Sequence, residues 1–155
     1  MFISVRPTGV RQPTRTEFIS HSPVATEAIG EMIGRAAGPG WVIGVSGELG
    51  AGKTELVRGL ARALGVTDRV RSPTFALVHQ YRGGRWPLYH LDLFRLDTPE
   101  QIIAAGLEDY WQPEGVSAIE WAERWTGWTP ENYRRVFIDV IGEGERRIAY
   151  EHPGA

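Results

Sequence analysis

The chain of 155 residues is long enough for one domain with its own hydrophobic core. It has no cysteine, which excludes disulfides and thiolate metal sites, and no apolar run reaches the ~18 residues that cross a bilayer. The formal net charge of −2 argues against autonomous, tight nucleic-acid binding. We expect a single cytoplasmic domain over residues 1–155, without a signal peptide, in which Met1 to Pro13 form a loose basic lead-in.

The first predicted elements are strands and one helix. Phe2 to Val5 is a candidate edge strand, and Thr14 to Ile19 is a candidate short strand. Pro23 to Ala37 predicts an amphipathic helix, because its apolar residues recur at helical spacing, and Gly38-Pro39-Gly40 ends it. Trp41 to Ser46 is a β-branched apolar run, which is typical of a buried strand.

A glycine-rich loop follows this strand and carries the strongest chemical signal in the chain. Gly47-Glu48-Leu49-Gly50-Ala51-Gly52-Lys53-Thr54 has the spacing of a P-loop, G-x-x-x-x-G-K-[ST]. Such glycines let backbone N–H groups face a phosphate, and the helix that follows adds its positive N-terminal end. Lys53, the only lysine in the chain, can reach the β- and γ-phosphates, and Thr54 can offer its hydroxyl to Mg²⁺. Apolar residues at helical spacing up to Leu64, with Gly65 as a stop, predict that helix.

The second half of the chain predicts mainly strands. Pro73 to Tyr81 and Trp86 to Leu91 are predicted to form a hairpin around the turn Arg82 to Arg85. A helix is predicted over Pro99 to Ala105, which continues or restarts over Leu107 to Trp111, and a buried strand over Val116 to Ile119. A closing hairpin is predicted from Val136 to Ile141 and Arg147 to Glu151. The fold class predicted is therefore α/β, a P-loop NTPase-like three-layer sandwich whose mixed sheet includes antiparallel hairpins.

Two acids stand at predicted strand ends, where ligands of open α/β sheets bind. Asp92 ends the run Leu88 to Leu91, and Glu120 ends Val116 to Ile119. Phosphoryl transfer needs an acid that holds Mg²⁺ or its water, and a group that orients the attacking water. Beside a P-loop, both acids are candidates for these tasks. The alternative is that each is a plain cap on the surface.

Three further features leave alternatives open. Ser72-Pro73-Thr74-Phe75 could place a hydroxyl near the γ-phosphate, or it could be a serine-proline turn that starts a strand. Arg95 could act as an arginine finger in cis, or it could pair with Asp97 or Glu100. We expect His90 to point away from the carboxylate of Asp92 and into packing.

Taken together, a series of short segments resembles the TsaE family (formerly YjeE), small bacterial P-loop ATPases of tRNA modification. The segments are Thr26 to Gly30, Gly47 to Thr54, Ser72 to Phe75, His90 to Leu96, Gly106 to Tyr110 and Ile119 to Trp121, in this order. The likeness extends from about residue 14 to the end. It implies a cytoplasmic ATPase that uses ATP and Mg²⁺ and works with the TsaD and TsaB proteins, with tRNA engaged through the complex and with no membrane or DNA partner.

The resemblance also implies roles for individual residues. Lys53, Asp92 and Glu120 would be catalytic, and Thr54, Asp92 and Glu120 would surround the metal. Nucleotide would be bound by Thr26, Gly47, Glu48, Leu49, Gly50, Ala51, Gly52, Lys53, Thr54, Glu55, Thr74 and Trp121. The chain departs from the family pattern at Glu48, where aspartate is more usual, and at Glu55, where a small hydroxyl residue is common. The second departure puts an extra hydroxyl contact in doubt.

The family function implied is ATP hydrolysis that resets the TsaB–TsaD assembly between rounds of threonylcarbamoyladenosine formation in tRNAs that read ANN codons. Two alternatives remain from other classes. One is a nucleotide-controlled binding module in which hydrolysis is incidental. The other is a small-molecule kinase on a P-loop scaffold, which is weakened because no acceptor-binding segment or lid is recognisable.

Overall fold

The computed structural model describes residues 13–153, so the candidate strand Phe2 to Val5 lies outside the described residues. The strands are β1 Thr14–Ser20, β2 Val42–Gly47, β3 Val78–Tyr81, β4 Leu88–Asp92, β5 Val116–Glu120, β6 Arg134–Gly142 and β7 Glu145–His152. The helices are α1 Pro23–Ala36, α2 Lys53–Ala63 and α3 Pro99–Ala104, with 3₁₀ turns at Glu108–Trp111 and Ala122–Arg124. Each helix in this range is too short or too polar to span a bilayer.

All seven described strands form one mixed sheet in the order β1-β7-β6-β2-β5-β4-β3. Strand β2 runs parallel to both of its neighbours, β6 and β5, and β4 runs parallel to β5. The outer strands pair antiparallel, as β3 with β4, β6 with β7, and β1 with β7. The predicted α/β fold with a mixed sheet and antiparallel hairpins is therefore confirmed.

The two faces of the sheet carry separate cores, and this decides where the acids lie. Helices α1 and α2 cover one face, on which Leu88 of β4 and Val116 of β5 are buried. The other face is covered by α3 and the 3₁₀ turns, and it buries Tyr89 and Ile119. Since side chains alternate along a strand, the even-numbered residues of β4 and β5 all face α2.

Helices α1 and α2 touch through glycines, which brings α1 against the P-loop helix. A Cβ atom on Gly30 would lie 2.0 Å from the carbonyl oxygen of Leu56, and one on Gly59 would lie 1.8 Å from that of Glu27. Ser22 caps α1 by accepting a hydrogen bond from the backbone N–H of Ala25 at 3.0 Å. These contacts set the position of the first turn of α1 beside the loop.

One predicted strand is much shorter than expected. Only Val78–Tyr81 of the segment Pro73 to Tyr81 forms strand β3. Leu77 has a positive φ of 69°, and its N–H donates to the carbonyl oxygen of Pro73 at 2.7 Å, so the chain turns before it extends. Phe75, whose alternation with Leu77 suggested a strand, is 85% exposed. The prediction that the strand starts at Pro73 was wrong.

Candidate functional site

The loop between β2 and α2 has the backbone that an anion site needs. Gly50 and Gly52 have φ values of 79° and 109°, in the region that favours glycine. Gly52 is the N-cap residue of α2, and no side chain caps the free amides of the first turn. Gly47 has no room for a side chain, because a Cβ there would lie 2.7 Å from the carbonyl oxygen of Ile138. The N-terminus of α2 is therefore left open to a negatively charged group.

Lys53 is a buried cation whose side chain bonds to the loop itself. Its Nζ donates to the carbonyl oxygens of Gly47 at 2.7 Å and Glu48 at 2.8 Å, and it lies 4.2 Å from the centre of the Trp121 ring. Burial lowers the pKa of Lys53, although nearby acids, Glu120 first, oppose this. No carboxylate among residues 13–153 forms an ion pair with it. A buried ammonium without a counter-ion suits a bound polyanion.

Glu120 is the centre of a buried hydrogen-bonded chain. The hydroxyl of Thr54 donates to its carboxylate, at 3.0 Å from Oε1 and 3.1 Å from Oε2. His90 Nε2 lies 2.5 Å from Oε2. The expectation that His90 points away from the site was wrong, because residues 90 and 92 are two apart on a strand and share one face.

Asp92 holds the segment Ser72 to Phe75, the candidate for placing a hydroxyl near the γ-phosphate. Its Oδ2 accepts hydrogen bonds from the hydroxyls of Ser72 at 2.8 Å and Thr74 at 3.0 Å. Its Oδ1 accepts the backbone N–H of Phe94 at 2.9 Å, which leaves one lone pair of that oxygen free. The hydroxyls of Ser72 and Thr74 therefore contact the last residue of β4. Both residues belong to the loop that precedes strand β3.

A cavity of about 440 Å³ brings most of the predicted site residues together. Its walls include Leu49, Gly50, Gly52, Lys53, Thr54, Glu55, Thr74, Asp92, Glu120 and Trp121. Gly47 and Glu48 contact Lys53 through their carbonyl oxygens, and Ala51 is fully buried. The acids at the ends of β4 and β5 thus face the P-loop across one space that is large enough for phosphates and a hydrated metal ion.

Thr26 lies apart from this space. It lines a neighbouring cavity of about 280 Å³, together with Ala51, Gly52 and Arg146. The Thr26 side chain is buried and shares a hydrogen bond of 2.8 Å with the hydroxyl of Ser20. The predicted nucleotide contact of Thr26 would therefore be made in this cavity, which the P-loop residues Gly50 to Gly52 also line.

Sequence reasoning missed residues that the fold brings to the loop. Arg146 donates to the carbonyl oxygens of Ala51 at 2.9 Å and Gly50 at 3.3 Å, and no local pattern signals this, because β7 is remote in sequence. Arg58, Arg71 and Phe94 also line the large cavity. His90 could have been found, since its spacing from Asp92 places both on one face.

Arg95 is found in neither of its two expected positions, at the phosphate cavity as an arginine finger or paired with Asp97 or Glu100. Its guanidinium lies 5.1 Å from the centre of the Phe75 ring, and it does not line the large cavity. The expected partner Asp97 instead forms an ion pair with Arg124 at 3.0 Å. Among the described residues, Arg95 has no ion pair with Asp97 or Glu100.

Known proteins resemble this chain both in sequence and in structure. The sequence model of the family described as "Threonylcarbamoyl adenosine biosynthesis protein TsaE" matches residues 20–148. Proteins named tRNA threonylcarbamoyladenosine biosynthesis protein TsaE are similar, at 42% identity in Nostoc sp. (79% of this chain, 77% of that one) and 36% in Bacillus subtilis (86% and 83%). The crystal structure of Bacillus subtilis YdiB superimposes with a TM-score of 0.78 at 31% identity, over 94% of this chain and 90% of that one.

Proposed function

The chain belongs to the TsaE family, and on that premise we propose that it is a Mg²⁺-dependent ATPase that serves the formation of threonylcarbamoyladenosine in tRNA. Its relatives carry names from this biosynthesis. The observation that carries the ATPase proposal is the buried, unpaired ammonium of Lys53, which faces two strand-end acids across a cavity of about 440 Å³.

The side chains present fit a metal–nucleotide complex. Thr54, Glu120 and the free lone pair of Asp92 Oδ1 would supply the hard oxygen ligands that Mg²⁺ prefers. The metal would neutralise negative charge on the β- and γ-phosphates. Lys53 would exchange its two loop carbonyls for phosphate oxygens, so that its charge gains a counter-ion. The open amides at the start of α2 would bind the same phosphates.

Glu120 and Asp92 are assigned different tasks because their partners differ. Glu120 is fixed by two donors and lies 3% exposed at the end of β5, and we assign it to orient the attacking water. Asp92 bonds to the hydroxyls of Ser72 and Thr74, so we assign it to link the metal site with this loop. A γ-phosphate could then be sensed by the loop through the acid.

We further propose the cellular setting that the family resemblance implies. The chain would act in the cytoplasm with TsaD and TsaB, and it would meet tRNAs reading ANN codons only through that complex. Hydrolysis would reset the TsaB–TsaD assembly between turnovers. We expect a weak ATPase in isolation that its partners stimulate, as the family resemblance implies.

The test is an ATPase assay with and without the TsaB–TsaD pair, with tRNA modification as the second readout. We expect marked stimulation by the pair. Glu120→Ala should permit one round of modification and then arrest, whereas Glu114→Ala, at an exposed acid outside the large cavity, should behave as wild type. Full hydrolysis by the isolated chain that ignores the pair would contradict the proposal. Undiminished modification by Glu120→Ala through many turnovers would indicate a binding module instead.

A further inference from the structure

We propose that His90 is a positioning residue, which holds the carboxylate of Glu120 in the orientation that the reaction needs. The inference rests on the proposed function, because it takes Glu120 as the group that orients water. His90 itself lies behind Glu120 and does not line the large cavity. It would act only through the acid.

Among residues 13–153, the ring of His90 has one hydrogen-bond partner, Glu120. Strands β4 and β5 pair in parallel, with His90 opposite Ala118 and Asp92 opposite Glu120. The imidazole therefore reaches diagonally along the face that α2 covers, and its Nε2 lies 2.5 Å from Glu120 Oε2. Both side chains are buried, His90 completely. A bond in such a dry place is stronger than the same bond in water.

The hydrogen bond also explains why a polar ring is present in this core. His90 Nδ1 is buried and has no hydrogen-bond partner among the described residues. A leucine would bury the same space without leaving a polar atom unpaired. Because a carboxylate only accepts, the Nε2 atom must carry the proton that is shared with Glu120. Burying Nδ1 without a partner costs folding free energy, and a functional need for the bond to Glu120 explains why histidine is nevertheless present here.

The consequence for Glu120 is a fixed carboxylate plane. His90 holds Oε2 from behind, while the Thr54 hydroxyl lies 3.0 Å from Oε1. The remaining lone pairs then point in set directions towards the cavity, and a water placed there meets an acceptor that needs no reorganisation. Without His90, the Glu120 side chain could rotate to other positions, and its lone pairs would no longer point in set directions.

Three substitutions separate this role from mere packing. His90→Leu and His90→Asn remove the N–H at the Nε2 position, whereas His90→Gln can place an amide N–H near it. In the partner-stimulated assay, we expect kcat to fall about ten- to a hundredfold for the first two, with the KM for ATP little changed. His90→Gln should recover most of kcat. His152→Leu, on β7 outside the cavity, is the matched control.

A readout without ATP turnover is the side-chain ¹H–¹⁵N spectrum of histidine-labelled protein in the absence of nucleotide. We expect a strongly downfield, slowly exchanging Nε2–H signal of His90 that moves to an ordinary position in Glu120→Ala. A signal unchanged by Glu120→Ala would overturn the proposal, as would equal kcat values for the wild type and a folded His90→Leu or His90→Asn. If the wild type hydrolyses no ATP even with its partners, the proposed function fails, and the spectrum still decides whether His90 bonds to Glu120.

Discussion

At the scale of single residues, the protonation state of Lys53 governs its reactivity as a nucleophile. The ammonium is buried beside Trp121, and this burial lowers its pKa. A larger fraction of the side chain is therefore the neutral, nucleophilic amine at a given pH than for an exposed lysine. Because the chain has no other lysine, a reaction with side-chain amines reports on this one site.

We predict that an amine-reactive ATP analogue labels Lys53 and that excess ATP blocks the labelling. The phosphates would guide the reagent to the loop, where the only side-chain amine lies. Mass spectrometry of the digested protein locates the label. The variant Lys53→Met shows how much label goes to the α-amino group alone. Labelling of Lys53 that excess ATP leaves undiminished would mean that the loop is not a nucleotide site.

Backbone strain is concentrated beside the two acids. Among residues 13–153, Leu77 and Trp121 are the only non-glycine residues with positive φ, at 69° and 58°. The carbonyl oxygen of Leu77 accepts the N–H of Asp92 at 3.0 Å, and Trp121 directly follows Glu120. Strain of this kind costs on the order of 1–3 kcal/mol per residue and persists where the surroundings enforce it. Its location favours a functional reason for both conformations.

At the scale of elements, the contact between α1 and α2 depends on glycine. We predict that Gly30→Ala lowers the free energy of unfolding by about 1–3 kcal/mol or more, because the new methyl would lie 2.0 Å from a backbone oxygen of Leu56. Urea unfolding followed by tryptophan fluorescence measures this. Gly38→Ala is the control, since nothing lies within 4 Å of its Cβ position and its φ is not positive. A destabilisation of equal size in both variants would contradict the close-packing explanation.

The loop from Ser72 to Leu77 is held at its start by the carboxylate of Asp92. Two hydroxyls donate to one charged oxygen, and hydrogen bonds to a charged acceptor are roughly twice as strong as neutral ones. Phe75 projects into solvent and does not anchor the loop in the core. The loop should therefore loosen when the charge of Asp92 is removed, while the strands beside it stay paired.

We predict that Asp92→Asn speeds cleavage by trypsin after Arg71, which is exposed at the start of this loop. The amide keeps the shape of the side chain but loses the charge that binds Ser72 and Thr74. Limited proteolysis with mass spectrometry compares the two proteins. Arg82, exposed in the turn after β3, provides an internal control whose cleavage rate should not change. Equal rates after Arg71 in both proteins would show that Asp92 does not hold the loop.

At the scale of the whole molecule, alkaline stability should depend on Tyr133. Its hydroxyl lies against Gly44 of the central strand, and burial raises the pKa of Tyr133 to about 12. An unfolded tyrosine has a pKa of about 10, so the folded state binds more protons between these values, and stability falls as pH rises through them. Below about pH 10 the contribution is fully present.

We predict that the stability of the wild type, relative to Tyr133→Phe, falls by about 1 kcal/mol between about pH 9 and about pH 11. Phenylalanine cannot ionise, so the difference isolates this one group from the other titrating side chains. Urea unfolding of both proteins at the two pH values gives the difference. A difference that stays constant, or that grows in favour of the wild type, would contradict the assignment.

The parts of the fold that sequence predicts well are those whose signals are local. Strand β2, the P-loop and α2 follow one another, so their residues and spacing suffice. Alternation over Phe75 and Leu77 wrongly extended β3, because the turn there depends on a distant acid, Asp92, and on an unfavourable φ at Leu77. A pattern within a segment cannot contain the partner that bends it.

The candidate site shows the same division. The strand-end rule identified Asp92 and Glu120, and the P-loop motif identified Lys53 and Thr54. Arg146 could not be identified, because its place against the loop depends on β7 lying beside β6 and β1, and no local spacing encodes that order.

The position of β2 between β5 and β6 has a consequence during protein synthesis. When Glu120 has just left the ribosome, the nascent chain already contains the P-loop and both cavity acids, but β2 has only one of its two sheet neighbours. The last described strands, β6 and β7, must still emerge before β2 is enclosed and β1 finds its partner. Non-local pairings of this kind form late. We therefore expect the growing chain to become able to bind nucleotide only after β6 and β7 have emerged.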